Sequence, residues 1–157
     1  MFVEWQGSNT PWRLFVTERE DTEAAWGRQG WIEGEGDSWT TYSHDRPNVT
    51  ADGLTMIFSS NQPIDNSAGW GLWESTRTDK DSPWSEPQSL GVLNESDRSE
   101  RAADLSSDEL TLYVGDGFDG FGPVWMSTRL TTDDEWQELL PVPGMDCLLY
   151  TSDAADE

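Results

Sequence analysis

The stretch Leu72-Trp73-Glu74-Ser75-Thr76-Arg77, followed by Trp84, decides the fold because its pattern occurs three times in the 157 residues. In each copy an aromatic residue is followed by an arginine four positions later and by a tryptophan seven positions after that. The copies are Phe15, Arg19 and Trp26, then Trp73, Arg77 and Trp84, then Trp125, Arg129 and Trp136. Such self-similarity is typical of repeat proteins, in which each unit buries its apolar face against its neighbours.

Each copy also carries the sequence pattern of a β-hairpin. Residues 52–58 and 108–114 begin with an acidic turn residue and continue as a short apolar run, which predicts a strand. The predicted partner strands are 72–77 and 124–129, and the first copy has 1–3 and 14–19 in the two positions. Because the first copy lacks the preceding turn, we expect the chain to begin inside a repeat.

The apolar run Met56-Ile57-Phe58 does not alternate with polar residues, so we expect both faces of its strand to be covered. Sheets stacked face to face provide such cover, and four short strands with their turns need about 40 to 50 residues, the size of one propeller blade. The expected fold is all-β, a partial β-propeller of about two to three antiparallel blades. A β-sandwich is the alternative, because short strands with frequent turns also fit it.

The middle copy consists of Asp52-Gly53-Leu54-Thr55, a glycine-rich loop, the stretch 72–77, and then Trp84-Ser85-Glu86-Pro87-Gln88-Ser89-Leu90-Gly91. This order of motifs resembles the TolB-type, WD-repeat-like β-propeller repeat, and the resemblance extends over most of the chain. It implies a non-catalytic propeller scaffold that binds a protein or glycan partner. The sequence departs from the family pattern at Glu109, which replaces the turn glycine, and at Trp136-Gln137-Glu138-Leu139, which lacks the proline.

The repeat divides the chain into units of similar length. We expect a partial first repeat at 1–45 with an irregular loop at 30–43, a second repeat at 46–97 and a third at 98–146. Residues 147–157 resemble the peptide that one reading frame of a common sequencing adapter would encode, so we expect them to be a non-native tail in place of which the natural protein continues. An open arc of blades exposes faces that a neighbour would bury, and self-association through these faces is expected.

The composition limits the partners. A formal net charge of -22 argues against nucleic acid, whose phosphates require a basic surface, and against anionic membrane surfaces. No run is apolar enough to insert into a bilayer. The only cysteine, Cys147, lies in the predicted tail, so thiol chemistry and disulfides are not expected. A periplasmic or extracellular location is predicted from the acidic balance and the resemblance.

Ten tryptophans are the compositional outlier. Those in the three copies, with Phe15 and the arginines, are predicted to be structural anchors, because a feature repeated in register suits the contacts between units better than an active site. The tryptophans outside the pattern are candidates for ligand binding, since exposed aromatic rings mark binding surfaces. The predicted ligand-binding residues are Trp31, Trp39 and Trp70, and Trp5 and Trp12 are also irregular.

No catalytic residue, metal site or cofactor is predicted. His44 is the only histidine and is expected in a solvated turn before Pro47, so a histidine metal cluster or a Ser-His-Asp triad is not indicated. The acidic loop at 116–119 allows a weak cation site, although a hairpin turn is favoured. The alternative function is a fragment of an extracellular propeller-type hydrolase acting on polysaccharide. In either case the loop at 30–43 is the expected place of function.

Overall fold

A computed structural model describes residues 2–4, 10–19, 21–28, 30–64, 69–94, 100–116, 123–143 and 145. Within them the protein is all-β, as predicted, with three antiparallel sheets. The strands are β1 (Phe2–Glu4), β2 (Arg13–Val16), β3 (Gly30–Trp31), β4 (His44–Val49), β5 (Thr55–Ser60), β6 (Gly71–Thr76), β7 (Gln88–Ser89), β8 (Glu100–Leu105), β9 (Thr111–Asp116), β10 (Val124–Thr128) and β11 (Leu140–Pro141). A short helix, α1 (Ser38–Thr41), and a 3₁₀ turn at Gly91–Leu93 complete the described elements. The predicted tail at 147–157, Trp5 and the loop residues 117–119 lie outside the described residues.

Each sheet is a meander, in which strands that follow one another in sequence are neighbours in space. The orders are β1-β2-β3, β4-β5-β6-β7 and β8-β9-β10-β11. The predicted hairpins are confirmed, because β1 pairs with β2, β5 with β6, and β9 with β10, all antiparallel. Strands β1, β2 and β3 of the first sheet therefore correspond to β5, β6 and β7 of the second.

The outer part of every sheet has the same register. The same backbone hydrogen bond recurs in all three sheets. Its donor lies six residues after the repeat tryptophan, and its acceptor lies five residues before the repeat arginine. The three bonds run from Ile32 to Leu14, from Leu90 to Leu72 and from Val142 to Val124, at 3.1, 3.1 and 3.0 Å. The sequence repeat is thus a structural repeat as well.

One apolar core lies on each side of the second sheet. The first core, between the first and second sheets, comprises Leu14, Ile32, Trp39, Met56, Phe58, Trp73 and Trp84. The second core, between the second and third sheets, comprises Ile57, Leu72, Leu93, Leu112, Val114, Trp136 and Leu139. Met56 and Phe58 point into the first core and Ile57 into the second, since successive side chains of a strand alternate in direction. The prediction that both faces of this strand are covered is confirmed, as all three side chains are at most 1% exposed.

The turns before β5 and β9 use the same hydrogen bonds. In each turn a hydroxyl side chain donates to the first carboxylate oxygen of Asp52 or Asp108 at 2.6 Å. These bonds, with a backbone N–H two residues further on, hold the pKa of both carboxyls below the usual value. The residue directly after each aspartate has a left-handed backbone conformation, with φ of 78° at Gly53 and 61° at Glu109. The third repeat therefore keeps the turn geometry without the glycine that favours it.

The expectation for His44 was wrong. His44 and Asp45 begin β4 and are 0% and 5% exposed, whereas a solvated turn was predicted. The imidazole packs against Trp39 and Phe58, with ring centroids 5.3 and 5.2 Å away. Its Nε2 lies 3.0 Å from the carbonyl oxygen of Ser38. The burial lowers the pKa of His44 to about 4, so the ring is neutral at physiological pH.

Candidate functional site

The repeated arginine and tryptophan of each copy are stacked on one another. The guanidinium carbons of Arg19, Arg77 and Arg129 lie 4.5, 4.5 and 4.4 Å from the ring centroids of Trp26, Trp84 and Trp136. In the second and third copies Nε also donates to the turn carbonyl of Gly53 or Glu109 at 2.8 Å. In every copy Nη1 donates to the carbonyl three residues later, at 2.7 to 2.9 Å. Each guanidinium thus holds together the loop that carries its tryptophan, and in the second and third copies it also joins that loop to a hairpin turn.

All three copies share a second contact, which was not predicted from the sequence. Two positions before each repeat arginine lies a hydroxyl residue: Thr17, Ser75 or Ser127. Its hydroxyl donates to the backbone carbonyl of the residue after the repeat tryptophan, at 2.8, 2.8 and 2.6 Å respectively. The sequence does contain a signal for this contact, namely a serine or threonine at the same position of all three copies. The bond fixes the tryptophan loop against the adjacent strand, which sets the position of the indole.

The repeat tryptophans differ in burial even though each is stacked on the arginine of its copy. Trp84 and Trp136 are 4% and 7% exposed, whereas Trp26 is 60% exposed. Trp84 belongs to the first core and Trp136 to the second, so each packs against the sheet that precedes its own. The described residues contain no sheet that precedes the first one, and Trp26 therefore faces outward.

Two grooves lie at equivalent places between the sheets. The first groove has a volume of about 810 Å³ and separates the outer parts of the first and second sheets. Its lining residues are Val16, Thr17, Glu18, Gly27, Arg28, Gly30, Trp31, Ile32, Glu33, Val49, Arg77, Lys80, Asp81, Ser82, Pro83 and Trp84. The second groove, of about 290 Å³, separates the second and third sheets. It is lined by Glu74, Gln88, Ser89, Leu90, Gly91, Val92, Arg129, Thr132, Asp133, Asp134, Glu135 and Trp136.

The three tryptophans predicted to bind a ligand do not come together. Of the three, Trp31 alone lines one of the two grooves, where it is half-buried. Its ring meets that of Phe15 edge to face at a centroid distance of 6.2 Å, and the guanidinium of Arg13 lies 4.9 Å from its centroid. Trp70 is also half-buried, and its ring lies 5.9 Å from that of Trp12.

Trp39 lies in the core rather than on a surface. It is 4% exposed, its indole N–H donates to the carbonyl of Ser85 at 3.1 Å, and its ring centroid lies 5.2 Å from that of Phe58. The prediction that Trp39 binds a ligand is therefore replaced by a structural role. The reason is that α1 folds back over the first core, which the irregular sequence of this loop did not indicate.

The loop at 30–43 joins the first two sheets. Its backbone exchanges hydrogen bonds of 2.7 and 3.0 Å with the backbone of Trp84, forming a short parallel bridge. The hydroxyl of Ser38 donates to a carboxylate oxygen of Glu86. Gly36, with a φ of 82°, leaves no space for a side chain beside that carboxylate. The middle of the loop is therefore structural, and its first residues contribute to the groove.

The first groove is balanced in charge within a strongly acidic chain. Its cationic side chains are those of Arg28, Arg77 and Lys80, and its carboxylates are those of Glu18, Glu33 and Asp81. The chain as a whole has nine lysines and arginines against 31 aspartates and glutamates. Three of the nine cations thus line one groove, which reduces the repulsion of anionic ligands there.

The second groove holds a carboxyl with an altered pKa. Glu74 is half-buried on β6, and burial raises its pKa, while the charge of Arg129 opposes the shift and that of Glu109 adds to it. Asp133, Asp134 and Glu135 line the same groove. The second groove therefore differs from the first in being predominantly acidic and smaller.

The described part of the chain contains no group of three or more histidine, cysteine, aspartate or glutamate side chains arranged to hold a metal ion. None of its helices is both long and apolar enough to cross a membrane. No protein-family model, curated protein or solved structure matches this chain. The grooves and the repeated anchors are therefore the basis for a functional proposal.

Proposed function

We propose that the chain forms consecutive blades of a TolB-type β-propeller and is a non-catalytic scaffold that binds a glycan in the first groove. The propeller arrangement is supported by the common register of the three sheets and by the two cores on opposite faces of the second sheet. Contacts of β8 with β4, and of β4 with β1 and β2, support it further. These contacts place the first strand of the second and of the third sheet against the sheet that precedes it.

The observation that carries the binding function is the half-buried Trp31 on the wall of the first groove. A volume of about 810 Å³ falls in the range of about 300 to 1,000 Å³ typical of sites for small ligands. A protein partner of standard size instead covers about 800 Å² of flatter surface. An indole in the lining suits the apolar face of a sugar ring, and the surrounding charged and hydroxyl groups suit its hydroxyls.

The test is a binding titration of the purified chain with neutral and with uronic-acid-containing oligosaccharides, followed by calorimetry. We expect Trp31→Ala to weaken binding by about tenfold or more, because a tryptophan at the centre of a site usually contributes strongly. Trp70→Ala is the matched control, since Trp70 is also half-buried and lies outside both grooves. Equal losses in the two variants, or no binding of any oligosaccharide, would contradict the proposal.

One observation favours the second candidate, hydrolysis of a polysaccharide. A glycosidase needs a carboxyl that stays protonated near neutral pH to serve as general acid, and burial raises the pKa of Glu74 in the second groove. Release of reducing ends from polysaccharide, lost on Glu74→Gln but retained by Trp31→Ala, would favour this function over the scaffold. Turnover that Glu74→Gln leaves unchanged would remove Glu74 from consideration.

A further inference from the structure

The two grooves occupy equivalent places in the repeat, so their linings can be compared position by position. Five residues after the repeat tryptophan, the first groove has Trp31 and the second has Ser89. Three residues after the repeat arginine, the first groove has Lys80 and the second has Thr132. The first groove therefore has an aromatic ring and an amine at two positions where the second groove has hydroxyl groups.

Charge differs between the grooves in a corresponding way. Two residues after the repeat tryptophan, Arg28 lines the first groove, whereas the later copies have Glu86 and Glu138 at this position. Lys80 is the only lysine among the 157 residues. The second groove instead sets Arg129 against four carboxylates, which are those of Glu74, Asp133, Asp134 and Glu135. Cationic side chains therefore accumulate in the first groove and not in its repeat counterpart.

The turn before β5 leaves space for the lysine. The Cε atom of Lys80 lies 3.1 Å from the point that a Cβ at Gly53 would occupy, so a side chain at that turn would press against the lysine. The third copy has Glu109 at the turn and Thr132 in place of the lysine. Glycine at the turn and lysine at the groove therefore occur together in the second copy, and both are replaced in the third.

We propose that the glycan bound in the first groove is acidic, with one sugar ring against Trp31 and a uronic carboxylate at Lys80, which makes Lys80 the residue that sets specificity. This specificity rests on the glycan-binding function proposed above. The net charge of -22 repels an acidic ligand, but charges further away than about 8 Å are largely screened at physiological ionic strength. The ligand therefore responds mainly to the groove itself, where cations and carboxylates are equal in number, and a direct ammonium–carboxylate contact adds attraction there.

Calorimetry of the full chain tests this specificity with an oligogalacturonate and with the same oligosaccharide after reduction of its carboxyl groups to alcohols. We expect the parent chain to bind the acidic form about three to ten times more tightly, as is typical of a partly exposed charge-assisted contact. The paired exchange of Lys80→Thr with Thr132→Lys moves the only lysine to the second groove and keeps both composition and net charge. This exchange should remove the preference and leave the affinity for the reduced form within about twofold. Lys80→Arg keeps the charge and should retain most of the preference.

A single lysine also permits a measurement at the residue itself. Acylation of its amine by an N-hydroxysuccinimide ester can be followed by mass spectrometry of the peptide that contains Lys80. Saturating acidic oligosaccharide should slow this reaction, and the reduced form should slow it much less. In the exchanged variant the relocated lysine should react at the same rate with either oligosaccharide present.

Three outcomes separate this specificity from glycan binding in general. Equal binding of both forms by the parent chain, lost in Trp31→Ala, would overturn the acidic specificity while glycan binding stands. A preference that survives the exchange, in a variant that circular dichroism shows to be folded, would remove Lys80 as the determinant. Absence of binding of either form would refute the glycan-binding function, and this specificity with it.

Discussion

Trp136→Ala and Trp26→Ala remove the same side chain from the same position of the repeat, and the structure predicts different losses of stability. Trp136 is 7% exposed within the second core, whereas Trp26 is 60% exposed. Replacement of a buried tryptophan by alanine typically costs about 3 to 5 kcal/mol, through lost transfer free energy and the cavity left behind. For Trp26 less than half of the ring is covered, and the stacked Arg19 contributes about 0.5 to 1 kcal/mol at such an exposed site. We therefore expect a loss of about 1 to 1.5 kcal/mol for Trp26→Ala.

Urea denaturation followed by far-ultraviolet circular dichroism measures the difference. With a slope of about 2 kcal/mol per molar urea for a chain of this size, the midpoint should fall by about 2 M for Trp136→Ala and by about 0.6 M for Trp26→Ala. The experiment is done at low protein concentration, where sedimentation shows a single species. Trp84→Ala serves as a second buried case, since Trp84 is 4% exposed. Equal midpoints for the exposed and buried positions would refute the assignment of Trp84 and Trp136 to inter-sheet cores.

Three further changes test the buried histidine, a turn and the connecting loop. The pKa of His44 is about 4 in the fold and 6.5 in the reference state, so the unfolded chain takes up the proton first as the pH falls. The free energy of unfolding should therefore fall by about 1.3 kcal/mol between pH 7.5 and 5.5. In paired urea titrations, His44→Gln should lack this part of the pH dependence. Glu109→Gly should raise the melting temperature by the equivalent of about 0.5 to 1 kcal/mol, since φ is 61° there, while Gly53→Ala at the matching position should lower it. Gly36→Ala should lower stability by about 1 to 2 kcal/mol, because φ is 82° there and a Cβ would push the carboxylate of Glu86 away from the hydroxyl of Ser38; an unchanged thermal midpoint would contradict backbone strain at this position.

Much of the fold could be predicted from short stretches of the chain. The hairpins follow from apolar runs next to acidic turn residues, and the two-sided burial of β5 follows from Met56-Ile57-Phe58. The repeat arginines and tryptophans are predicted only as structural anchors, and the structure stacks each arginine on the tryptophan of its copy. These features are local, so they depend on residues that lie close together in sequence.

The functional surfaces could not be predicted in the same way. Trp31, Trp39 and Trp70 look alike in sequence, but they lie in a groove, in a core and beside Trp12, respectively. Which of them a ligand can reach depends on the path of the loop at 30–43 across the second sheet, and this path is fixed by long-range hydrogen bonds to Trp84 and Ser85. Sequence periodicity has no access to such contacts.

The sequence by itself determined the repeat and the all-β class, because these follow from local spacing and from strand alternation. Only the tertiary structure decided that Trp26 is exposed while Trp84 and Trp136 are buried, and that His44 packs against two aromatic rings. The physical reason is that burial depends on which sheet covers a face. Equivalent positions of a repeat therefore differ in burial when a described sheet covers one of them and no described sheet covers the other.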